Sequence, residues 1–232
     1  MPLLRSALLV ALAATVAACA DGAVDDAPAA TVAATGRDSA VAYDTTLLRA
    51  ADLGRIKGDS TAPLWIIEVS DFQCPYCKRF HQETWQALEA RYVRPGKVRV
   101  AFLNLPLPSH RNAWPAAEAA MCASVQGRFW AMHDSIFVSQ ERWEGLARTD
   151  TLFRRFAVAV GADTAAFRTC TDSHATRPLI QGDLDRLTSA GVQSTPTFFV
   201  GDSVIAGAYP LADFVRVIDA QLARKAAAPS KR

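Results

Sequence analysis

The sequence of 232 residues predicts an α/β fold in which a β-sheet is interrupted by an inserted helical subdomain. An apolar run over residues 64–69, bounded by Pro63 and Ser70, is typical of a buried central strand. A helical stretch follows it and leads to a second apolar β-run over residues 98–103. A β-hairpin and a final helix come only after a further long helical region. We therefore expect the strands on either side of that region to share one sheet.

The sequence Cys74-Pro75-Tyr76-Cys77 lies where the first strand ends and a helix begins. Proline favours the first turn of a helix, and apolar residues recur at helical spacing after it. Cys74 is therefore predicted to lie at a helix N-terminus, where unpaired N–H groups and the helix dipole lower a thiol pKa below about 8.5. The resulting thiolate attacks disulfides. Cys77, one turn further along, is expected to be the less exposed, resolving thiol.

Other uses of a Cys-x-x-Cys pair fit this sequence less well. A structural zinc site needs a second close pair of ligands, which the sequence does not supply, so we predict no metal and no cofactor. Haem attachment needs a histidine directly after the second cysteine, where this chain has Lys78. A purely structural disulfide closing so short a loop would add little stability through chain entropy. Redox chemistry is the favoured interpretation.

Three segments resemble the thioredoxin superfamily and, within it, the DsbA-like branch of thiol-disulfide oxidoreductases. They are residues 58–63, 70–78 and 195–200. The resemblance covers about residues 53–222 and implies a thioredoxin fold. We expect this domain to occupy residues 46–225, with the helical subdomain inserted at about residues 108–190.

The same resemblance suggests how a substrate is held. It implies that Pro196 is a cis proline facing the cysteines and that the backbone just before it, at Thr195, pairs with a substrate peptide. Pro75, Tyr76 and Thr195 are accordingly the expected substrate contacts. Tyr76 stands where the best-known oxidases carry histidine, and Thr195 stands where they carry valine.

The remaining elements follow from hydrophobic spacing. Three segments of the insertion have apolar residues at helical spacing: residues 129–137, 152–160 and 179–187. Residues 197–200 and 204–206 are predicted to form the hairpin, and residues 211–222 the final helix. Residues 226–232 are expected to be a disordered tail.

The N-terminal residues predict export and a lipid anchor. Arg5 precedes an apolar run that is typical of a signal peptide and too short to span a bilayer. The sequence that ends at Cys19 resembles a bacterial lipobox, so we expect residues 1–18 to be removed and Cys19 to be lipidated. Ordinary cleavage after Ala20 is the alternative. Residues 19–45 are predicted to be a flexible tether that links the membrane to a domain on the periplasmic side of the cell envelope.

Two further cysteines, Cys122 and Cys170, lie in the predicted insertion. In an oxidising compartment they are expected to form a structural disulfide, worth about 4 kcal/mol in the chain-entropy model. Members of the resembled branch often carry a second disulfide at comparable positions. The alternative is that both cysteines are small buried apolar residues.

Glu68 stands alone among the apolar residues of the predicted central strand. Burial there would raise its pKa and allow it to exchange a proton with Cys77. The thioredoxin superfamily carries an acidic residue at the same offset from its cysteines. The alternative is a glutamate paired with Lys97 or Arg99.

The histidines give weaker signals. His81 and His133 are interpreted as residues of amphipathic helices rather than as participants in chemistry. His110 precedes a predicted helix and could approach the rim of the active site.

The balance of 25 basic and 23 acidic residues does not predict a nucleic-acid-binding surface.

Taken together, these features predict an exported, monomeric thiol-disulfide oxidoreductase that acts on reduced or unfolded substrate proteins and is recharged by a redox partner protein. An oxidase is favoured, because a stabilised thiolate makes the disulfide a strong electron acceptor. Threonine before the proline is commoner in reductases and isomerases of the superfamily, which are the alternative. A chaperone that holds a soft metal ion with its thiolates is an alternative of a different class.

Overall fold

The structure is a computed structural model that describes residues 43–227. The strands are β1 (Ile56–Lys57), β2 (Leu64–Ser70), β3 (Val98–Asn104), β4 (Thr197–Val200) and β5 (Ser203–Ala206). In the described part of the chain they form one five-stranded sheet in the order β1-β3-β2-β4-β5. β2 pairs in parallel with β3 and antiparallel with β4, so it is the central strand that its apolar sequence predicts.

Helices surround this sheet. They are α1 (Thr45–Gly54), α2 (Pro75–Phe80), α3 (Gln86–Leu88), α4 (Ala113–Ser124), α5 (Phe129–Val138), α6 (Gln140–Trp143), α7 (Asp150–Ala159), α8 (Thr164–Asp172), α9 (Arg177–Ser189) and α10 (Leu211–Ala227). Two π-helical turns, His81–Trp85 and Glu89–Val93, flank α3, so residues 75–93 form one continuous helix, called here the dithiol helix. Helices α4 to α9 lie between β3 and β4. The predicted fold class, an interrupted α/β sheet with a helical insertion, is confirmed.

Two apolar clusters divide the core between the sheet and the insertion. In the first, Phe80 of the dithiol helix packs on Phe198 of β4 and on Phe214 of α10, with ring centroids 4.4 and 5.2 Å apart. The second fills the insertion and extends to both cysteines of the Cys-x-x-Cys sequence. The cysteines therefore lie where the sheet and the insertion meet.

A buried polar network joins the insertion to the sheet. Asp183 of α9 is fully buried and pairs with the buried guanidinium of Arg55. It also accepts hydrogen bonds from the backbone and side-chain amides of Asn104 at the end of β3, at 3.1 and 3.3 Å. A buried carboxylate needs such partners, and here they fix α9 against the end of β3.

The insertion also contains a disulfide. Cys122 of α4 and Cys170 of α8 have Sγ atoms 2.02 Å apart, and both residues are buried. The bond joins positions separated by 48 residues in the sequence. It thus crosslinks two helices of the insertion.

The structure differs from two predicted boundaries by one or two residues. The predicted tether extends to residue 45, whereas Thr45 opens α1, because the Asp44 carboxylate caps this helix by accepting hydrogen bonds from Thr46 N and Leu47 N at 3.0 Å. The predicted tail begins at residue 226, whereas α10 continues to Ala227. Alanine is a strong helix former, and these alanines extend the helix by propensity.

The signal peptide at residues 1–18, the lipidation of Cys19 and most of the tether lie outside the described residues. Within residues 43–227, no helix combines the length and the apolar character that crossing a bilayer requires.

Candidate active site

The turn after β2 places the two cysteines at the start of the dithiol helix. Cys74 is the N-cap residue, with extended backbone angles, and Pro75 is the first helical residue. The Cys74 N–H donates to the Asp71 carbonyl at 3.0 Å, and Lys78 N–H donates to the Cys74 carbonyl at 3.1 Å. Cys74 therefore lies at a helix N-terminus, as the sequence predicts, and Cys77 lies one turn along the same helix.

Hydrogen bonds to the sulfur lower the pKa of Cys74 to about 6. The largest cause is the Cys77 thiol, which donates to the Cys74 anion. The Thr195 side chain and the backbone N–H groups of Tyr76 and Cys77 lower the pKa further, while burial opposes them. Donors that are bonded to the charged form favour that form. A pKa of about 6 makes the thiolate the favoured form of reduced Cys74 at neutral pH.

Cys77 shows the opposite behaviour. It is fully buried, and burial raises its pKa well above the ordinary value, with the neighbouring Cys74 sulfur adding to the rise. Cys74 is therefore stabilised as an anion, and Cys77 is stabilised as a neutral thiol. Only 3% of Cys74 is exposed to solvent, so a substrate disulfide must come into direct contact with the protein around Cys74 before it can react with the sulfur.

The loop before β4 faces Cys74. The Thr195–Pro196 peptide bond is cis, and the Thr195 carbonyl accepts from the Cys74 Sγ at 3.4 Å. The Thr195 Oγ1 is buried and forms no other hydrogen bond within residues 43–227, which leaves its hydroxyl to donate to the Cys74 thiolate. The carbonyl can bond only the protonated thiol, whereas the hydroxyl can donate to the thiolate. Thr195 therefore serves both protonation states of Cys74.

A groove of about 520 Å³ runs beside this loop. Tyr76, Thr195, Pro196 and Tyr209 are among the residues that line it, and Thr195 is the one that contacts Cys74. The rings of Tyr76 and Tyr209 are 57% and 49% exposed, and the Arg79 guanidinium lies 5.0 Å from the centroid of the Tyr76 ring. An extended peptide could lie here with its backbone against the cis-proline loop.

Glu68 lies on β2, two residues before Ser70 on the same face of the strand. Burial raises its pKa to about 8, and the Ser70 hydroxyl opposes that rise. The Ser70 hydroxyl also lowers the pKa of Cys77, although the buried Ser70 Oγ forms no hydrogen bond within residues 43–227. Within the described residues Glu68 forms no ion pair with Lys97 or Arg99, the alternative that the sequence left open.

Asp71 is an important residue that the sequence analysis missed. Its buried carboxylate accepts hydrogen bonds from Gln73 N at 2.7 Å, from Leu107 N at 2.9 Å and from His110 Nδ1 at 2.7 Å. Burial raises its pKa in spite of these partners. The carboxylate holds the turn before the cysteines against the start of the insertion. His110 therefore lies at the active-site rim, and a lone aspartate at the end of a buried strand was the available signal.

The insertion also contacts the turn directly. Gln140 of α6 donates from Nε2 to the carbonyls of Phe72 and Cys74 at 2.7 and 3.2 Å. Lys78 is nearly buried and pairs with the Glu141 carboxylate. The sequence gave no indication of these contacts, because they join residues that are far apart in the chain.

The fold and the dithiol together define a thioredoxin-fold thiol-disulfide oxidoreductase. A family model described as Thioredoxin matches residues 51–220, and the chain belongs to that family.

Solved structures show the same architecture. BdbD from Bacillus subtilis is 23% identical, with a TM-score of 0.68 over 74% of this chain and 94% of that chain. The α-DsbA1 protein of Wolbachia pipientis is 24% identical, with a TM-score of 0.66 over 74% and 92% of the two chains. A thioredoxin-like oxidoreductase from Silicibacter pomeroyi is 25% identical, with a TM-score of 0.60 over 80% and 100%.

Curated relatives include much longer proteins. A protein named Na(+)/H(+) antiporter NhaA 1 from Mycolicibacterium gilvum is 30% identical over 181 residues, which are 75% of this chain and 28% of that protein. The chain thus spans about a quarter of the length of this relative, and the similarity does not extend to the antiporter as a whole.

The hydrogen bond from Cys77 to Cys74 leads to a first prediction. In Cys77→Ser a hydroxyl still donates to the thiolate, so the pKa of Cys74 should stay near the wild-type value of about 6. In Cys77→Ala the donor is lost, and the pKa should rise toward about 8.5. The rate of alkylation of Cys74 by iodoacetamide as a function of pH, with the modified residue identified by mass spectrometry, measures both. Equal midpoints in the two variants would contradict the assigned cause.

Burial of Glu68 leads to a second prediction. Its pKa is about 8 in the folded protein and about 4.3 in the unfolded chain, so the unfolded state releases the proton first. The wild type should therefore lose stability relative to Glu68→Gln as pH rises from about 4.3 to 8, by about 1.36 kcal/mol per pH unit at most. Urea unfolding of the oxidised proteins across this range measures the difference.

The exposed Glu83 on the dithiol helix provides the matched control. The difference in the free energy of unfolding between Glu83→Gln and the wild type should stay nearly constant with pH. A constant difference for Glu68→Gln as well would show that Glu68 titrates normally.

Proposed function

We propose that this chain is an exported oxidase that passes the Cys74–Cys77 disulfide to reduced substrate proteins. The observation that carries the proposal is the difference between the two sulfurs, with the pKa of Cys74 lowered to about 6 and that of Cys77 raised well above its ordinary value. A stabilised Cys74 thiolate favours the reduced form of the protein. The disulfide consequently tends to accept electrons.

The exchange proceeds in two displacements. A substrate thiolate attacks the Cys74 Sγ, the Cys74–Cys77 bond breaks, and its electron pair goes to the Cys77 sulfur, which takes up a proton. A second substrate thiolate then attacks the substrate sulfur of the mixed disulfide, and Cys74 leaves as a thiolate. The substrate loses two electrons and the dithiol gains them. The low pKa of Cys74 makes it a good leaving group in the second displacement.

Glu68 is the proposed source of the proton for Cys77. With a pKa of about 8, its carboxyl group is mainly protonated at pH 7 and can act as an acid. The Ser70 hydroxyl affects the pKa of both groups and is the proposed relay of the proton between them. In the reverse reaction, the ionised form of Glu68 would remove the same proton from Cys77.

The groove beside the cis-proline loop is the proposed substrate site. Pro75 and Tyr76 are exposed at its edge, and Thr195 and Pro196 form its wall. A reduced or unfolded protein can present an extended segment there, whereas a folded one rarely can. Pairing of the segment with the backbone at Thr195 would bring a substrate sulfur up to Cys74.

Export is part of the proposal. The Cys122–Cys170 disulfide supports it, since structural disulfides persist in oxidising compartments. Removal of residues 1–18, lipidation of Cys19 and a tether would attach a monomeric domain of about residues 46–225 to a membrane on the periplasmic side. A partner protein that accepts electrons from the reduced dithiol would recharge it.

Trapping of intermediates tests the roles of the two sulfurs. In Cys77→Ser the resolving thiol is absent, so a mixed disulfide between Cys74 and a substrate protein should accumulate. In Cys74→Ser none should form, because Cys77 is fully buried. Non-reducing gel electrophoresis of alkylated samples separates the two results, with scrambled, disulfide-bonded ribonuclease as the substrate, so that the Cys74 thiolate attacks a substrate disulfide and one substrate sulfur leaves as a thiolate. Mixed disulfides formed only by Cys74→Ser would reverse the assignment.

The reduction potential of the Cys74–Cys77 pair tests the direction of electron flow. An oxidase should have a value above about −180 mV, that of protein disulfide isomerase, because the Cys74 thiolate stabilises the reduced form. Equilibration with glutathione buffers of known ratio measures it. A value near about −270 mV, that of thioredoxin, would instead favour a reductase, the alternative suggested by Thr195 before the cis proline.

A further inference from the structure

A cluster of two histidines and an aspartate lies behind the dithiol. His81 follows Cys77 by one turn of the dithiol helix, and the backbone N–H of His81 donates to the Cys77 carbonyl. His133 and Asp134 project from α5 of the insertion. The Asp134 Oδ1 lies 3.0 Å from His81 Nε2 and 2.8 Å from His133 Nδ1, and the three ligand atoms all lie within 4.8 Å of one another.

The two imidazole rings are buried in aromatic surroundings. His81 is 4% exposed and His133 is 1% exposed. The His133 ring centroid lies 4.9 Å from that of Phe137 and 5.1 Å from that of Trp130. Within the described residues, His81 Nδ1 and His133 Nε2 have no hydrogen-bond partner. Each ring therefore directs its single polar contact at the same oxygen of Asp134.

The nitrogens that meet at Asp134 are His81 Nε2 and His133 Nδ1, and the other nitrogen of each ring faces apolar surroundings. Within residues 43–227 the Asp134 carboxylate forms ion-pair contacts with these two imidazoles and with no lysine or arginine. The nearby Lys57 instead pairs with Glu89 at 2.8 Å.

Two imidazole nitrogens and a carboxylate oxygen form a ligand set suited to zinc. Zinc binds such atoms at about 2.0–2.2 Å in tetrahedral geometry, which places the ligand atoms about 3.3 Å from one another. The observed contacts of 2.8 and 3.0 Å are a few tenths of an ångström shorter. Asp134 is 51% exposed, so an ion can reach its carboxylate from solvent, and a water molecule would be the fourth ligand.

We propose that His81, His133 and Asp134 form a binding site for Zn²⁺. The ion would bridge the dithiol helix and α5, and so clamp the helix that carries the cysteines to the insertion. The ligands belong to neither the Cys-x-x-Cys pair nor the substrate groove. The site is therefore independent of the direction in which the dithiol moves electrons.

The test uses the full chain with its Cys74–Cys77 disulfide closed and any remaining thiol alkylated, so that no thiolate competes for metal. After treatment with a chelator and its removal, Zn²⁺ is titrated by calorimetry, and Co²⁺ is added as a spectroscopic probe. We expect one equivalent of Zn²⁺ to bind and to raise the Tm. Co²⁺ should give the intense visible absorption of a tetrahedral complex. A protein that binds neither ion stoichiometrically would overturn the proposal.

A pair of matched variants locates the site. Asp134→Asn removes a half-exposed ligand without changing side-chain volume, and it should weaken Zn²⁺ binding at least tenfold and abolish the rise in Tm. Asp213→Asn changes a similarly exposed helical carboxylate that pairs with Arg216, and it should bind as the wild type does. Wild-type affinity in Asp134→Asn, or equal losses in both variants, would show that the metal binds elsewhere.

Discussion

The chemistry of this protein depends on the exclusion of water from the end of its central strand. Glu68, Asp71, Cys74 and Cys77 lie within ten residues of one another, and all four are buried. Burial raises the pKa of three of them. Only at Cys74 do hydrogen-bond donors outweigh the cost of burying a charge, and its pKa falls to about 6. One negative charge is thereby concentrated on the sulfur at the helix N-terminus.

The helical insertion is what keeps water out. Gln140 binds the carbonyls on either side of the turn, and Asp71 ties the same turn to the chain that enters the insertion. The sheet supplies the opposite wall through the cis-proline loop at Thr195. The reactive Cys74 sulfur thus lies where the sheet packs against the insertion, and the groove opens beside this contact, next to Tyr76. This arrangement suits a substrate that enters as an extended segment.

The dithiol helix connects these units along its length. Its first turn holds the cysteines, His81 contacts α5 of the insertion, and Phe80 packs on β4. A metal ion at His81 would hold that junction together by coordination in addition to apolar packing. The redox chemistry and the proposed zinc site therefore share one helix while using different atoms.

The sequence by itself determined the central strand, the position of Cys74 at a helix N-terminus and the helical interruption of the sheet. These features follow from local signals, namely an apolar run, a proline at a first helical position and the spacing of apolar residues. It also pointed to Glu68, because a single carboxylate in an apolar strand is conspicuous.

Only the tertiary structure decided which groups surround the sulfurs. The contacts of Asp71 with Leu107 and of Gln140 with Cys74 join residues that are distant in the chain, and no periodic pattern encodes them. The same holds for His81 and His133, which the sequence presents as ordinary residues of amphipathic helices. Their meeting at one carboxylate results from the docking of two helices. A pKa or a ligand set depends on the complete three-dimensional environment of an atom, and that environment exists only after the chain has folded.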